Sequence, residues 1–229
     1  MKKSMIIISF IIVIAVMSLI LVFMRTDKIE QSLTEDEIKF KEEYEVNNGV
    51  ELFEDYILKT VDITSDNNVK YVGDKDIIEL LTNGTNVIYF GWSDCNWCRS
   101  IVPTLIDTVK ENNIDTLYYY DFKELRTSYE NSTDKEKTKI YEEILNVIGE
   151  DIDSVFNEES KKSGEKKILA PTVVFIKDGQ YIGLHVKSVD SQEKATDELS
   201  KNEIKELKMK YQELINLLKS NVCSTDEGC

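Results

Sequence analysis

The chain of 229 residues has only two prolines, nine glycines and a single histidine, which excludes collagen-like and Pro-rich linker character. The lone imidazole, His185, rules out sites that need several histidines, including the usual catalytic zinc arrangements. It reads as a satisfied or solvent-facing strand residue. Positive charge is also short: 28 Lys plus Arg face 43 Asp plus Glu, a formal net charge of −15. A nucleic-acid partner needs a basic stripe to neutralise phosphates, and no such stripe is present. The same acidity repels anionic lipid head groups, apart from the first few residues. There is no internal repeat and no low-complexity segment. Hydrophobic residues make up 41% of the chain, enough for one globular domain of ordinary size.

The first feature that is present is a long apolar run. Met5 to Met24 is a stretch of 20 residues interrupted only by Ser9 and Ser18. At about 1.5 Å per residue it matches the ~30 Å hydrocarbon core of a bilayer. It is longer than a signal-peptide core, and no small-x-small cleavage site or lipid-accepting cysteine follows it. An uncleaved anchor is therefore expected over residues 5–24, with secretion after cleavage as the alternative. Lys2 and Lys3 before the run favour a cytoplasmic N-terminus and an extracytoplasmic body.

The expected division is an anchor over 1–25, an acidic helical stalk over 26–55, an α/β domain over 56–221 and a cysteine-containing tail over 222–229. In the stalk, Thr34 with Glu37 forms a capping box and Asn48-Gly49 a stop, which predicts a solvated helix. Beyond it, Tyr56 to Ile63 reads as a strand, Asp74 to Thr82 as a short helix, and Asn86 to Gly91 as a buried central strand. A helix from Asn96 to about Asn112, a strand from Asp115 to Asp121 and a helix from Asp134 to Val147, stopped by Gly149, follow. Ala170 to Lys177 and Gln180 to Val186 flank Asp178-Gly179, a two-residue hairpin signal. Ser200 with Glu203 caps a last amphipathic helix to about Ser220. The order β-α-β-α-β-helix-β-β-α predicts an α/β fold with a mixed sheet flanked by helices.

Cys95-Asn96-Trp97-Cys98 falls between the apolar strand and the next helix. Unpaired N–H groups and the positive end of the helix dipole stabilise a thiolate there. Such thiols fall to pKa values of about 3.5–7.5, against ~8.5 for a free one. The spacing brings the second sulfur about one helical turn away, close enough to form an internal disulfide. A permanent structural bridge and half of a metal site are the alternative readings. Asp94 opposes the thiolate by like-charge repulsion. Cys223 and Cys229 form a second pair, either a static disulfide, a relay to Cys95–Cys98, or, with them, a four-thiolate zinc site. Trp92 and Trp97 are candidates for an apolar lip around Cys95 or for ordinary packing. Both prolines sit at telling places: Pro103 within the helix after the cysteines, where proline costs ~3 kcal/mol, and Pro171 at the start of the hairpin strand.

This pattern resembles the thioredoxin superfamily. The resemblance rests on the CxxC, the proline five residues after it, Ala170-Pro171-Thr172 before a strand, and Lys177-Asp178-Gly179 at the hairpin. It covers about residues 56–220. The wording YFGWSDCNWCRSIVP and the helical insert before the proline resemble the membrane-bound or secreted thioredoxin-like proteins of Gram-positive bacteria, among them bacteriocin transport accessory proteins. The resemblance implies Cys95 as attacking thiol, Cys98 as resolving thiol, and Pro171 as a cis-proline that shapes a substrate groove with the Ala170 backbone. Thioredoxins carry tryptophan where Asp94 stands, a buried acid where Tyr89 stands, and Gly-Pro where Asn96-Trp97 stands. The expected function is thiol–disulfide exchange on protein substrates, reset by a redox partner at the membrane, with no cofactor beyond the cysteines. The alternative is a non-catalytic accessory protein of secretion or of a cell-envelope complex.

Overall fold

The structure, a computed structural model, describes residues 33–152 and 167–220. The expected anchor over 5–24 and the Cys223 and Cys229 pair lie outside the described residues. Among the described residues no helix is long and apolar enough to cross a membrane.

The elements in chain order are α1 (Glu35–Glu45), β1 (Glu51–Phe53), β2 (Tyr56–Ile57), β3 (Val69–Tyr71), α2 (Ile77–Thr82), β4 (Asn86–Gly91) and α3 (Asn96–Glu111). They continue with β5 (Leu117–Asp121), α4 (Lys123–Asn131), α5 (Lys135–Ile152), β6 (Thr172–Lys177), β7 (Gln180–Val186) and α6 (Lys201–Lys219). Five strands form one mixed sheet in the order β3-β5-β4-β6-β7. β3, β5 and β4 run parallel, while β6 pairs antiparallel with both β4 and β7. The chain is thus α/β, with a mixed sheet flanked by helices.

Alternation along the strands divides the core between the two faces of the sheet. Val87 and Tyr89 of β4, with Val173 and Phe175 of β6, pack against residues of α1, α3 and α6. Ile88 and Phe90, with Val174 and Ile176, pack instead against α2 and α5. β4 is buried along its whole length, as its unbroken apolar run predicts, because helices cover both of its faces. The Asp178-Gly179 turn has positive φ at both residues, 50° and 74°, as a tight antiparallel hairpin requires.

Four departures from the sequence reading have physical causes. The helix expected as a solvated stalk packs on the sheet: Phe40 and Tyr44 of α1 are fully buried. The Thr34–Glu37 capping box is present as expected; the acidic composition hid two aromatic residues, four apart, that face inward. The segment 56–63 is not the first strand of the main sheet, a place taken by three residues of β3. Only Tyr56–Ile57 pairs, with β1, in a separate two-stranded sheet. The rest, 58–63, runs as a strap whose backbone is bound by side chains. The Lys59, Val61 and Ile63 N–H groups donate to Asn96 Oδ1, Asn48 Oδ1 and Glu45 Oε1 at 2.8, 2.9 and 2.9 Å. Arg99 Nε donates to Lys59 O at 2.6 Å and Asn48 Nδ2 to Val61 O at 2.9 Å. The strap has strand-like alternation with no strand beside it.

α5 runs on through Gly149 to Ile152, since Ile148 and Ile152 extend its buried stripe and outweigh the ~1 kcal/mol cost of an internal glycine. α4 lies ahead of it as a further helix, so the insert before β6 is larger than one helix.

The packing of α1 makes it part of the domain's stability. Phe40→Ala is expected to cost about 3–5 kcal/mol in urea unfolding. A solvated stalk helix would show no loss.

Candidate active site

β4 ends at Gly91, the chain turns through Trp92-Ser93-Asp94, and α3 begins after Cys95, its N-cap residue. Cys95 is extended (φ −113°, ψ 114°), and its sulfur accepts the Cys98 N–H at 3.3 Å. Both cysteines are free thiols; Cys95 is 9% exposed and Cys98 not at all. Across from them the Ala170–Pro171 bond is cis, with Ala170 O 3.9 Å from Cys95 Sγ. The structure therefore brings Cys95, Cys98, Ala170 and Pro171 to one place.

The two sulfurs have opposite environments. The Cys95 pKa is lowered chiefly by the hydrogen bond from the Cys98 thiol. Burial pushes it back up, while the Cys98 and Trp97 backbone N–H groups push it further down; Asp94 is a lesser opposing charge. Asp94 is itself ion-paired with Lys123. The Cys98 pKa is raised well above the ordinary range, first by complete burial, then by its hydrogen bond to Cys95 and the charge there. At this helix terminus donors outweigh the neighbouring carboxylate for the outer thiol, while lack of solvent keeps the inner one protonated.

Tyr89, in place of the acid that the resemblance implies, reaches Cys98 rather than Cys95. Its hydroxyl is one of the lesser influences that pull the Cys98 pKa down, and it shares a hydrogen bond with the Tyr44 hydroxyl, 2.7 Å between the two oxygens. Burial raises both phenols well above their usual pKa, so each remains a donor. Gly91 makes the arrangement possible, since a Cβ there would lie 2.3 Å from the Tyr89 hydroxyl. Tyr119 stacks on Tyr89 at 5.4 Å between ring centroids, and its hydroxyl donates to Glu43 Oε1 at 3.0 Å.

Trp92 and Trp97 are both half-buried and packed on the core. Trp92 lies against Phe122 at 5.2 Å, and its backbone N–H is one of the influences that pull the Cys98 pKa down. The Lys187 ammonium sits 5.8 Å from the centre of the Trp97 ring. His185 contacts Ser188 O through Nε2 at 2.7 Å and edges onto Tyr211 at 5.3 Å. The Tyr211 hydroxyl is the one buried side-chain polar atom without a hydrogen-bond partner among the described residues, and the charge of Cys98 is felt there.

The sequence reading missed two residues that organise the site, Asn96 and Arg99. Asn96, fully buried, donates to Ile57 O at 2.8 Å and accepts from Lys59 N. Arg99, 1% exposed, is bound by backbone carbonyls on three sides. Its position was visible: Cys95, Cys98, Arg99 and Val102 follow the i, i+3, i+4, i+7 spacing of a buried helix face.

Among the described residues no group of three or more Cys, His, Asp or Glu could hold a metal. No family model matches the chain, and no curated protein is significantly similar to it.

The thiol asymmetry has a direct readout. Iodoacetamide consumes thiolate, so Cys95 alkylation should reach half its plateau rate below pH ~8.5, with Cys98 unmodified over the same range. Peptide mapping distinguishes the two, and equal labelling with an ordinary midpoint would refute the asymmetry.

Proposed function

We propose that this chain is a thioredoxin-like thiol–disulfide oxidoreductase. One observation carries the reading: an N-cap thiol of lowered pKa accepts the backbone N–H of a fully buried second cysteine, and the carbonyl of Ala170, ahead of the cis proline, lies beside it. The mixed sheet flanked by helices accommodates a thioredoxin-like fold, with α4 and α5 as the insert before the cis-proline strand.

In the reducing direction the Cys95 thiolate attacks one sulfur of a substrate disulfide. A Cys95–substrate disulfide forms and the other substrate sulfur leaves as thiolate. Cys98 then attacks the Cys95 sulfur; the first substrate sulfur departs and takes up the proton that Cys98 gives up. Two electrons pass from the cysteine pair to the substrate, and the pair ends as the Cys95–Cys98 disulfide. In the oxidising direction the same steps run backwards from that disulfide. Burial disfavours the Cys98 thiolate, and the Tyr89 O–H and Trp92 N–H offset part of that cost during the second step. The exposed parts of Trp92 and Trp97 would border the substrate, and the Ala170 carbonyl, with Pro171 next to it, would face its backbone. A separate dithiol or disulfide carrier must reset the pair after each turnover.

The apolar run at 5–24 supports an anchored protein with its domain outside the cytoplasm and the carrier at the membrane. For the second cysteine pair we propose a static disulfide in that oxidising compartment.

Equilibration with glutathione buffers tests the chemistry. Cys95 and Cys98 should interconvert reversibly between thiols and disulfide at a potential between about −120 and −270 mV, the span of known oxidants and reductants of this kind. Cys98→Ser should accumulate mixed disulfides on non-reducing gels, and Cys95→Ser should form none. A pair that cannot be reduced in the folded protein would make it a structural bridge and leave an accessory role in its place.

A further inference from the structure

The strongest unassigned feature is the two-stranded hairpin of β1 and β2. Among the described residues ten large apolar side chains are exposed, and five of them lie between Val46 and Ile57. Leu52, Phe53 and Ile57 are 43, 63 and 54% exposed, and the Phe53 ring stacks on Tyr56 at 4.6 Å. A soluble surface seldom concentrates apolar side chains in this way without a partner. β1 has no second strand neighbour, so its outer backbone edge is open, whereas the outer edge of β2 is taken up by Asn96 at Ile57 O.

The hairpin is fixed to the cysteine pair. Asn96, the residue after Cys95, donates its side-chain amide to Ile57 O at 2.8 Å and accepts from the Lys59 N–H just beyond the hairpin. Tyr56 is close enough to feel the charges of Cys95, Cys98 and Asp94. An occupant of the hairpin would therefore lie beside the reactive sulfur.

Charge selects among occupants. Glu51, Glu54 and Asp55 stand between and beside the apolar side chains, all exposed, and none forms an ion pair among the described residues. Carboxylates here repel an anionic bilayer, and they repel a second copy of a chain whose net charge is −15. They attract Lys and Arg. We infer that the hairpin docks an extended, cysteine-bearing polypeptide whose flanks are apolar and basic, paired along the open edge of β1 as an added strand. This rests on the thiol–disulfide reading and names the substrate class for it.

Two synthetic peptides test it on the full-length chain, each with a cysteine flanked by Leu and Phe and disulfide-linked to a fluorophore. One carries lysines and the other glutamates. The lysine peptide should react with a kcat/KM about tenfold higher, a ratio that shrinks as salt rises. The double substitution Leu52→Ser, Phe53→Ser should lower its kcat/KM about tenfold and leave reaction with hydroxyethyl disulfide unchanged. Glu51→Lys with Glu54→Lys should reverse the preference. Equal rates on the two peptides, or no effect of the serine pair, would overturn the inference. So would a dimer in sedimentation that the serine pair abolishes, since the face would then belong to a second copy. If the wild-type chain exchanges with none of the three disulfides, the redox reading fails. Fluorescence anisotropy with a serine-for-cysteine lysine peptide then decides docking alone: binding lost in the serine pair upholds it, and absence of binding refutes it.

Discussion

The Arg99 guanidinium donates to the carbonyls of Tyr44, Ser93 and Lys59 and to the side-chain oxygen of Asn48. Those four acceptors belong to the end of α1, the loop that carries the cysteines, the strap, and the turn before β1. No carboxylate pairs with the cation among the described residues, so carbonyl dipoles alone compensate its burial. Such a group is costly to leave unsatisfied, and charge-assisted hydrogen bonds are the strong kind. Four segments distant in sequence are thereby held at one atom cluster at the base of the site. Asn96 repeats the device one turn earlier in α3, accepting from the N–H of the same strap residue, Lys59, and donating to Ile57 O just before the strap.

This clamp sets the environment of the sulfurs. Once α1 is fixed, the Tyr44 hydroxyl lies against that of Tyr89, which in turn meets Cys98. The inner thiol sits behind a wall of aromatic rings, while the outer one, at the N-cap, keeps a sliver of exposure and the donors of the first helical turn. Two cysteines three residues apart thus behave as different chemical groups, without a buried carboxylate to separate them. The difference comes from where water is excluded and where N–H groups point.

Much of this was legible in the sequence because it is local. The apolar run of β4, the two capping boxes, the Asp178-Gly179 turn and the CxxC at a strand-to-helix junction depend on neighbours a few residues away. What escaped depends on long-range hydrogen bonds from side chain to backbone. The strap alternates like a strand, and nothing in residues 58–63 says that Asn48, Glu45, Asn96 and Arg99 will replace a neighbouring strand. β3, three residues long, carries too short a pattern to read. Phe40 and Tyr44 were hidden within an acidic helix whose buried stripe is narrow, and Tyr44, the second member of the phenol pair, went unseen with it.

The strap also constrains the order in which the molecule can be assembled. Lys59, 7% exposed, places its ammonium on Ser100 Oγ at 2.5 Å and on the carbonyl of Asp197, a residue 138 positions further along the chain. Gln192 joins the same cluster through Ser100 and Asp197. During synthesis the strap leaves the ribosome well before its last partner, which follows 138 residues later. The wall of the site therefore closes late, and until it does the nascent chain presents its cysteines with one side open.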